Sequence, residues 1–168
     1  RLSDIEHNML HFLDNHDEQR LASPEFAGTP EKGKPLMVVS ATISSSPTMI
    51  YFGQEVGEAG NEDAGFGKRS RTSIFDYVGV PNHQRWMSDG RFDGKFLSEE
   101  ERKLRDFYSR LLNFTLKSDA MMGKFKEIQS ANRKITKGYD EGIYSYVRYS
   151  EKERLIIVTN FSWITKSN

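Results

Sequence analysis

The spacing of apolar positions changes along the chain, and each change marks an element. Residues 9–13 (Met-Leu-His-Phe-Leu) form a short apolar run that stops abruptly at Asp14. This run reads as a buried parallel strand, followed by a loop with a short helix over 14–29. A helix is expected from Pro30 or Pro35 to Ser45. Thr29 would be its N-cap, Leu36, Val38, Val39 and Ile43 its apolar face, and Ser46-Pro47 its end. Residues 48–52 (Thr-Met-Ile-Tyr-Phe) read as a second strand, followed at once by Gly53-Gln54-Glu55. Strand, helix and strand make a βαβ unit, with the carboxyl ends of both strands opening on the same side.

Residues 53–97 are rich in glycine, aromatic and charged residues and show no clear period. A loop of that length with Phe66, Phe75, Tyr77, Trp86, Phe92 and Phe96 in it suggests an ordered excursion over a site. The clearest helix spans 98–117. Ser98 and Glu101 match a capping box, and Leu104, Phe107, Tyr108, Leu111, Leu112 and Thr115 follow at helical spacing. Beyond Lys117 the pattern turns to β: residues 143–149 and 154–161 are strand-like and are joined by Ser150-Glu151-Lys152-Glu153, a hairpin signal. The shift near residue 119 suggests a domain boundary, with α/β structure over 1–118 and antiparallel β structure over 119–168.

Composition narrows the function classes. The 24 basic residues balance 24 acidic ones and no basic stripe stands out, which argues against nucleic acid as a partner. No apolar run is long enough for a membrane span. The absence of cysteine excludes disulfides and thiolate metal sites. The chain opens at Arg1 without methionine or targeting segment and stops at Asn168 just after an apolar strand candidate. It is therefore read as a piece of a longer protein.

The densest chemistry follows the first strand: Asn15, His16, Asp17, Glu18 and Arg20. A His-Asp pair there is either a structural cap or part of a site. Ligands bind beyond the carboxyl ends of parallel strands, and so many polar groups are costly to bury unless something satisfies them. Glu55, after the second strand, either faces the same mouth or is a salt-bridged loop carboxylate. Tyr51, Tyr77 and Trp86 either stack on a ligand or pack. His7 and His11 lack a third ligand, so no metal site is expected. Gly65-Phe66-Gly67-Lys68-Arg69-Ser70 lacks the first glycine of a phosphate loop, since position 62 is Glu, and reads as a flexible loop. Asp89-Gly90-Arg91-Phe92-Asp93-Gly94 lacks calcium-loop spacing and reads as a turn.

Phe-Leu-Asp-Asn-His-Asp-Glu-Gln-Arg at 12–20 resembles the fourth conserved region of the α-amylase superfamily, glycoside hydrolase family 13. Pro-Thr-Met-Ile-Tyr-Phe-Gly-Gln-Glu-Val-Gly at 47–57 resembles that family's eighth barrel strand and the loop after it. The resemblance implies that 1–118 forms the last two βα units of an eight-stranded TIM barrel. It implies that 119–168 begins the antiparallel β-sandwich domain that follows.

The resemblance further implies that His16 binds the sugar in the cleavage subsite. Asp17 would grip its 2- and 3-hydroxyls and stabilise the transition state; bonds to the 2-hydroxyl strengthen as the ring becomes oxocarbenium-like. Asn15 and Arg20 match motif positions that hold the pair in place. The nucleophile and the acid/base of such enzymes come from the fourth and fifth strands, and this chain has no match to those segments. By itself it would be inactive and would lean on the remainder of the barrel. The implied substrate is an α-glucan or maltooligosaccharide. No cofactor is implied for this segment; calcium in such enzymes is bound by parts with no match here. The runner-up is a non-catalytic carbohydrate- or partner-binding member of the same fold. A third reading is a small independent interaction domain unrelated to sugars.

Overall fold

The computed structural model describes residues 4–60, 63, 67–72 and 79–162. Expectations that rest on Phe66, Phe75 and Tyr77, and on the Gly65-Phe66 part of the glycine-rich loop, lie outside these residues. The helices are α1 (Pro30–Thr42), α2 (Pro81–Met87), α3 (Glu99–Lys117) and α4 (Gln129–Ile135), and the strands are β1 (Lys124–Glu127), β2 (Ile143–Tyr149) and β3 (Arg154–Asn160). Helices and strands are thus mixed, and all three named strands lie after residue 118.

The two strands expected early in the chain are reduced to a single parallel bridge between His11 and Thr48. The His11 N–H donates to the Pro47 carbonyl at 2.9 Å, and the Met49 N–H donates to the His11 carbonyl at 2.8 Å. Direction and partner are as expected, but length and burial are not. Met9, Leu10 and Phe12 are 47, 50 and 42% exposed. A lone pair of strands is marginal without neighbours to extend its ladder and cover its faces. The short helix expected within 14–29 is absent; that stretch is a series of turns.

The Thr29 hydroxyl accepts from the Lys32 N–H at 3.3 Å, so α1 begins at Pro30, with Pro35 inside it. The helix ends at Thr42, three residues before the expected Ser45. Its buried stripe is Gly33, Met37 and Thr42. The expected face, Leu36, Val38, Val39 and Ile43, is half-buried. The difference comes from α3, which packs on the Met37 side. Met37, Leu104 and Tyr108 form the buried core, and Leu13 and Ile50, from either side of the parallel bridge, pack against it.

α3 matches the sequence reading closely. The Ser98 hydroxyl accepts from the Glu101 N–H at 3.2 Å, and the Glu101 carboxylate accepts from the Ser98 N–H at 2.8 Å, completing the capping box. The sheet is antiparallel in the order β1-β2-β3. Lys126 faces Val147, and Val147 faces Ile156. The β2–β3 turn falls where expected, with the Ser150 hydroxyl accepting from the Lys152 and Glu153 N–H groups at 3.2 and 3.1 Å. β1 and α4 were not anticipated, because four residues of Lys-Phe-Lys-Glu and a seven-residue polar helix are too short to show a period.

The sheet is joined to α1 by polar contacts. The Thr42 hydroxyl and the Tyr146 hydroxyl lie 2.5 Å apart, both buried. The Arg148 guanidinium donates to the Ile43 carbonyl at 3.1 Å and to the Met121 carbonyl at 2.5 Å.

Candidate functional site

The parallel bridge brings the carboxyl-side loops of both segments to one end of the structure. The first loop is stapled by its own side chains. The Asn15 side-chain oxygen Oδ1 accepts from the Asp17 N–H at 2.8 Å and from the Glu18 N–H at 2.9 Å, an Asx turn that presents His16 and Asp17 outward. His16 Nε2 and Asp17 Oδ2 are 3.2 Å apart, with the side chains 49 and 74% exposed. The pair therefore stands on the surface, open to a ligand.

Behind this exposed pair lies a buried ionic layer. Asp14 and Arg20 are fully buried, with Arg20 Nε 3.5 Å from Asp14 Oδ2. The same Asp14 oxygen accepts from the Leu21 N–H at 2.9 Å, so Asp14 pins both ends of the turn that carries His16 and Asp17. Arg20 then crosses to the second segment. Its Nη2 donates to the Phe52 carbonyl at 2.6 Å, its Nη1 donates to the Thr72 hydroxyl at 3.4 Å, and its guanidinium lies 4.8 Å over the Tyr51 ring. Arg20 sits behind the mouth, where it can hold the loop and make no direct contact with a ligand. Burial raises the Asp14 carboxyl pKa above its usual value, opposed by Arg20.

Gly53, with φ +80°, turns the chain after the second segment. A Cβ there would meet the side chains of Glu58, His83 and Arg20 at 3.1, 3.3 and 3.4 Å, so the left-handed turn and the tight packing both favour glycine. Gln54 ties this turn to the core: its Nε2 donates to the Tyr108 hydroxyl at 3.1 Å, and its Oε1 accepts from the Tyr51 N–H at 3.3 Å. Glu55 is half-buried, and its charge adds to the rise that burial gives the Asp14 pKa and opposes the fall that burial gives the His83 pKa. That places Glu55 beside the buried ionic layer.

Glu58 and His83 belong to this site and were missed from sequence. Glu58 is almost fully buried, and its Oε2 accepts from the Asn82 N–H at 3.0 Å and the His83 N–H at 3.3 Å. It supplies from a distance the capping carboxylate that Val80 and Pro81 cannot supply locally. Burial pushes the Glu58 pKa up. The His83 ring meets Phe52 edge-on with centroids 5.1 Å apart, and burial lowers its pKa. Pro81 marks a helix start, but nothing in the sequence links it to Glu58.

His11 Nδ1 lies 3.3 Å from the Ser40 carbonyl, and the His7 ring pairs with the Asn8 side chain. No group of three or more metal-ligating side chains occurs among the described residues. No described helix is long and apolar enough to cross a membrane. Of the aromatic candidates, Tyr51 packs under Arg20, and Trp86 of α2 meets Phe92 of the turn that follows the helix.

No family model matches the chain, and no curated protein matches it. Among solved structures, the chain is similar to a crystal structure of a MutB mutant in complex with the substrate sucrose. The TM-score is 0.54 at 17% sequence identity, covering 90% of this chain and 34% of that one. The chain thus spans about a third of the length of that protein, and what they share is the fold.

Proposed function

We propose that this chain is part of a retaining glycosidase acting on α-glucosidic bonds. It would form the last two βα units of an eight-stranded barrel over 1–118 and the start of an antiparallel β domain over 119–168. The observation that carries this reading is the parallel His11–Thr48 bridge, which sets the Asn15–Asp17 turn and the Gly53–Glu55 turn at one mouth. The fold likeness to a protein crystallised with sucrose supports it at a coarse level.

In this reading His16 and Asp17 face a saccharide. The Asp17 carboxylate takes hydrogen bonds from ring hydroxyls, and these strengthen as positive charge grows at the anomeric carbon. Asn15 holds the turn through Asp17 N–H and Glu18 N–H, and Arg20 with Asp14 holds the turn from behind. Glu55 lines the mouth. The nucleophile and the acid/base, which must stand about 5–5.5 Å apart for retention, come from the remainder of the barrel.

The test is Asp17→Asn in the intact parent protein. A transition-state role lowers kcat by about 10²–10³ while substrate affinity changes little. Turnover that survives unchanged removes Asp17 from the mechanism. Sugar binding without any turnover in the unmutated protein supports the non-catalytic reading instead.

A further inference from the structure

The first turn of α2 is anchored to the second loop of the mouth. Glu58 holds the Asn82 and His83 N–H groups, and Asn82 Nδ2 donates to the Val56 and Gly57 carbonyls at 3.0 and 3.2 Å. These bonds set His83 against the Gly53 turn: a Cβ on Gly53 would lie 3.3 Å from His83 Cβ and 3.4 Å from Arg20 Nη2. Two rings then hold the imidazole, Phe52 edge-on at 5.1 Å and Trp86 tilted at 5.5 Å.

The two imidazole nitrogens have different surroundings. Nδ1 is buried and has no hydrogen-bond partner. Nε2 is not enclosed and makes no hydrogen bond among the described residues. A neutral imidazole carries one N–H and one bare lone pair. An orphaned N–H is harder to bury than an orphaned acceptor, so the proton belongs on Nε2, at the open edge. Burial lowers the His83 pKa, which keeps the ring neutral at neutral pH; Glu55 opposes that fall and Arg20 adds to it.

The charges around the ring are engaged, with one exception. Arg20 faces Asp14, Arg85 faces Glu101, and the Glu58 carboxylate holds the α2 N–H groups. Glu55, two residues after Gly53, has no hydrogen bond or ion pair among the described residues. This side of the mouth therefore carries an unused donor, His83 Nε2, and an unused acceptor, the Glu55 carboxylate.

We propose that His83 Nε2 donates to one hydroxyl of the bound saccharide while Glu55 accepts from its neighbour, which makes His83 a specificity-determining residue of the mouth. The inference rests on the saccharide reading above and adds to it a residue from α2. Vicinal hydroxyls both donate and accept, so an N–H beside a carboxylate matches them. A site built to hydrogen-bond a hydroxyl rejects the analogue that lacks it, because its own polar groups are left unpaired.

The experiment uses the intact parent protein carrying Asp17→Asn and ¹⁵N-labelled histidine, with the His83 signals assigned by His83→Gln. At neutral pH the free protein should show a protonated Nε2 and a bare Nδ1. Maltotriose and monodeoxy maltotrioses, each lacking one hydroxyl, are titrated in turn. The Nε2 signal should shift saturably with maltotriose. His83→Phe keeps a ring against Phe52 and Trp86 and removes the orphaned Nδ1, so its melting temperature should not fall. It should weaken maltotriose binding about tenfold, the loss of one hydrogen bond. It should also bind maltotriose and the deoxy sugar that the native side chain rejects equally well. His83→Gln, which keeps a donor, should return affinity to within about threefold. A proton on Nδ1, an Nε2 signal unmoved by saturating sugar, or a His83→Phe loss of the same size for every sugar overturns the proposal. Turnover that survives Asp17→Asn removes the catalytic role of Asp17 and leaves the Nε2 response standing, so the two readings fail separately.

Discussion

Arg20 Nη2 donates to the carbonyl oxygen of Phe52 at 2.6 Å, from a guanidinium with no exposure to solvent. This contact joins the two loops that the parallel bridge sets side by side, and does so beneath the exposed His16-Asp17 pair.

Arg20→Ala is expected to destabilise the protein by about 3–5 kcal/mol, because it leaves the Asp14 charge buried without its partner. Arg20→Lys keeps the charge but loses the planar fork that reaches Asp14 and Phe52 together. It should fall between the native protein and the alanine variant in urea denaturation. Native-like stability of both variants would mean that the buried layer contributes nothing.

Glu58 gives a pH dependence of known sign. Its folded pKa is raised above 4.5 by burial. The folded state thus favours the protonated carboxyl more than the unfolded state does. The stability from this group is fully present below about pH 4.5 and is lost as the pH rises through the raised value. Glu58→Gln keeps an acceptor for the Asn82 and His83 N–H groups but does not titrate. The stability of the native protein relative to Glu58→Gln should therefore be greater at pH 4 than at pH 7. Denaturation of both proteins across that range tests this; a flat difference contradicts the buried placement of Glu58.

Thr42 and Tyr146 make a directional prediction across the seam between α1 and the sheet. The Thr42 hydroxyl donates to the Val38 carbonyl at 2.7 Å, so its oxygen accepts from the Tyr146 hydroxyl at 2.5 Å. Tyr146→Phe removes a donor and should cost about 0.5–1.5 kcal/mol. Thr42→Val strands the buried Tyr146 hydroxyl and should cost about 1–3 kcal/mol. The double variant should lose less than the sum, since the second change removes a group already unpaired. Strict additivity in a double-mutant cycle would mean the hydroxyls do not interact.

Glu101 serves two elements. It closes the capping box of α3, and Arg85 of α2 donates to both its carboxylate oxygens, with Nε at 3.1 and 3.2 Å. Ser98→Ala should cost about 1 kcal/mol, a normal cap loss. Glu101→Ala should cost more, because it opens the cap and releases α2 at once. The ion pair itself adds about 0–1 kcal/mol, since Arg85 is 41% exposed. Equal losses in thermal melts would show that the Arg85 contact is idle.

Legibility followed the reach of each interaction. The capping box at Ser98 and Glu101, the Thr29 cap and the Ser150 turn are closed within a few residues and were read directly. The β2–β3 hairpin was equally plain, because its alternation is local. The buried stripe of α1 was not. Leu36 and Val39 look like core in a list of hydropathies, but Met37 is the residue that packs against Leu104 and Tyr108 of α3, while Gly33 lies under the Leu21 side chain. Glu58 was missed because its partners, Asn82 and His83, lie more than twenty residues away and carry no motif that points back to it.

The sequence by itself determined the helices with strong local signals, the antiparallel hairpin, and the cluster of chemistry at positions 15–20. Local hydrogen bonds and side-chain periodicity are enough for that. Tertiary structure alone decided that Arg20 lies in a buried ionic layer while His16 and Asp17 stay in solvent. It also decided that the strands at 9–13 and 48–52 meet at one bridge. Burial and long-range pairing depend on which faces meet, and that information is spread over the whole fold.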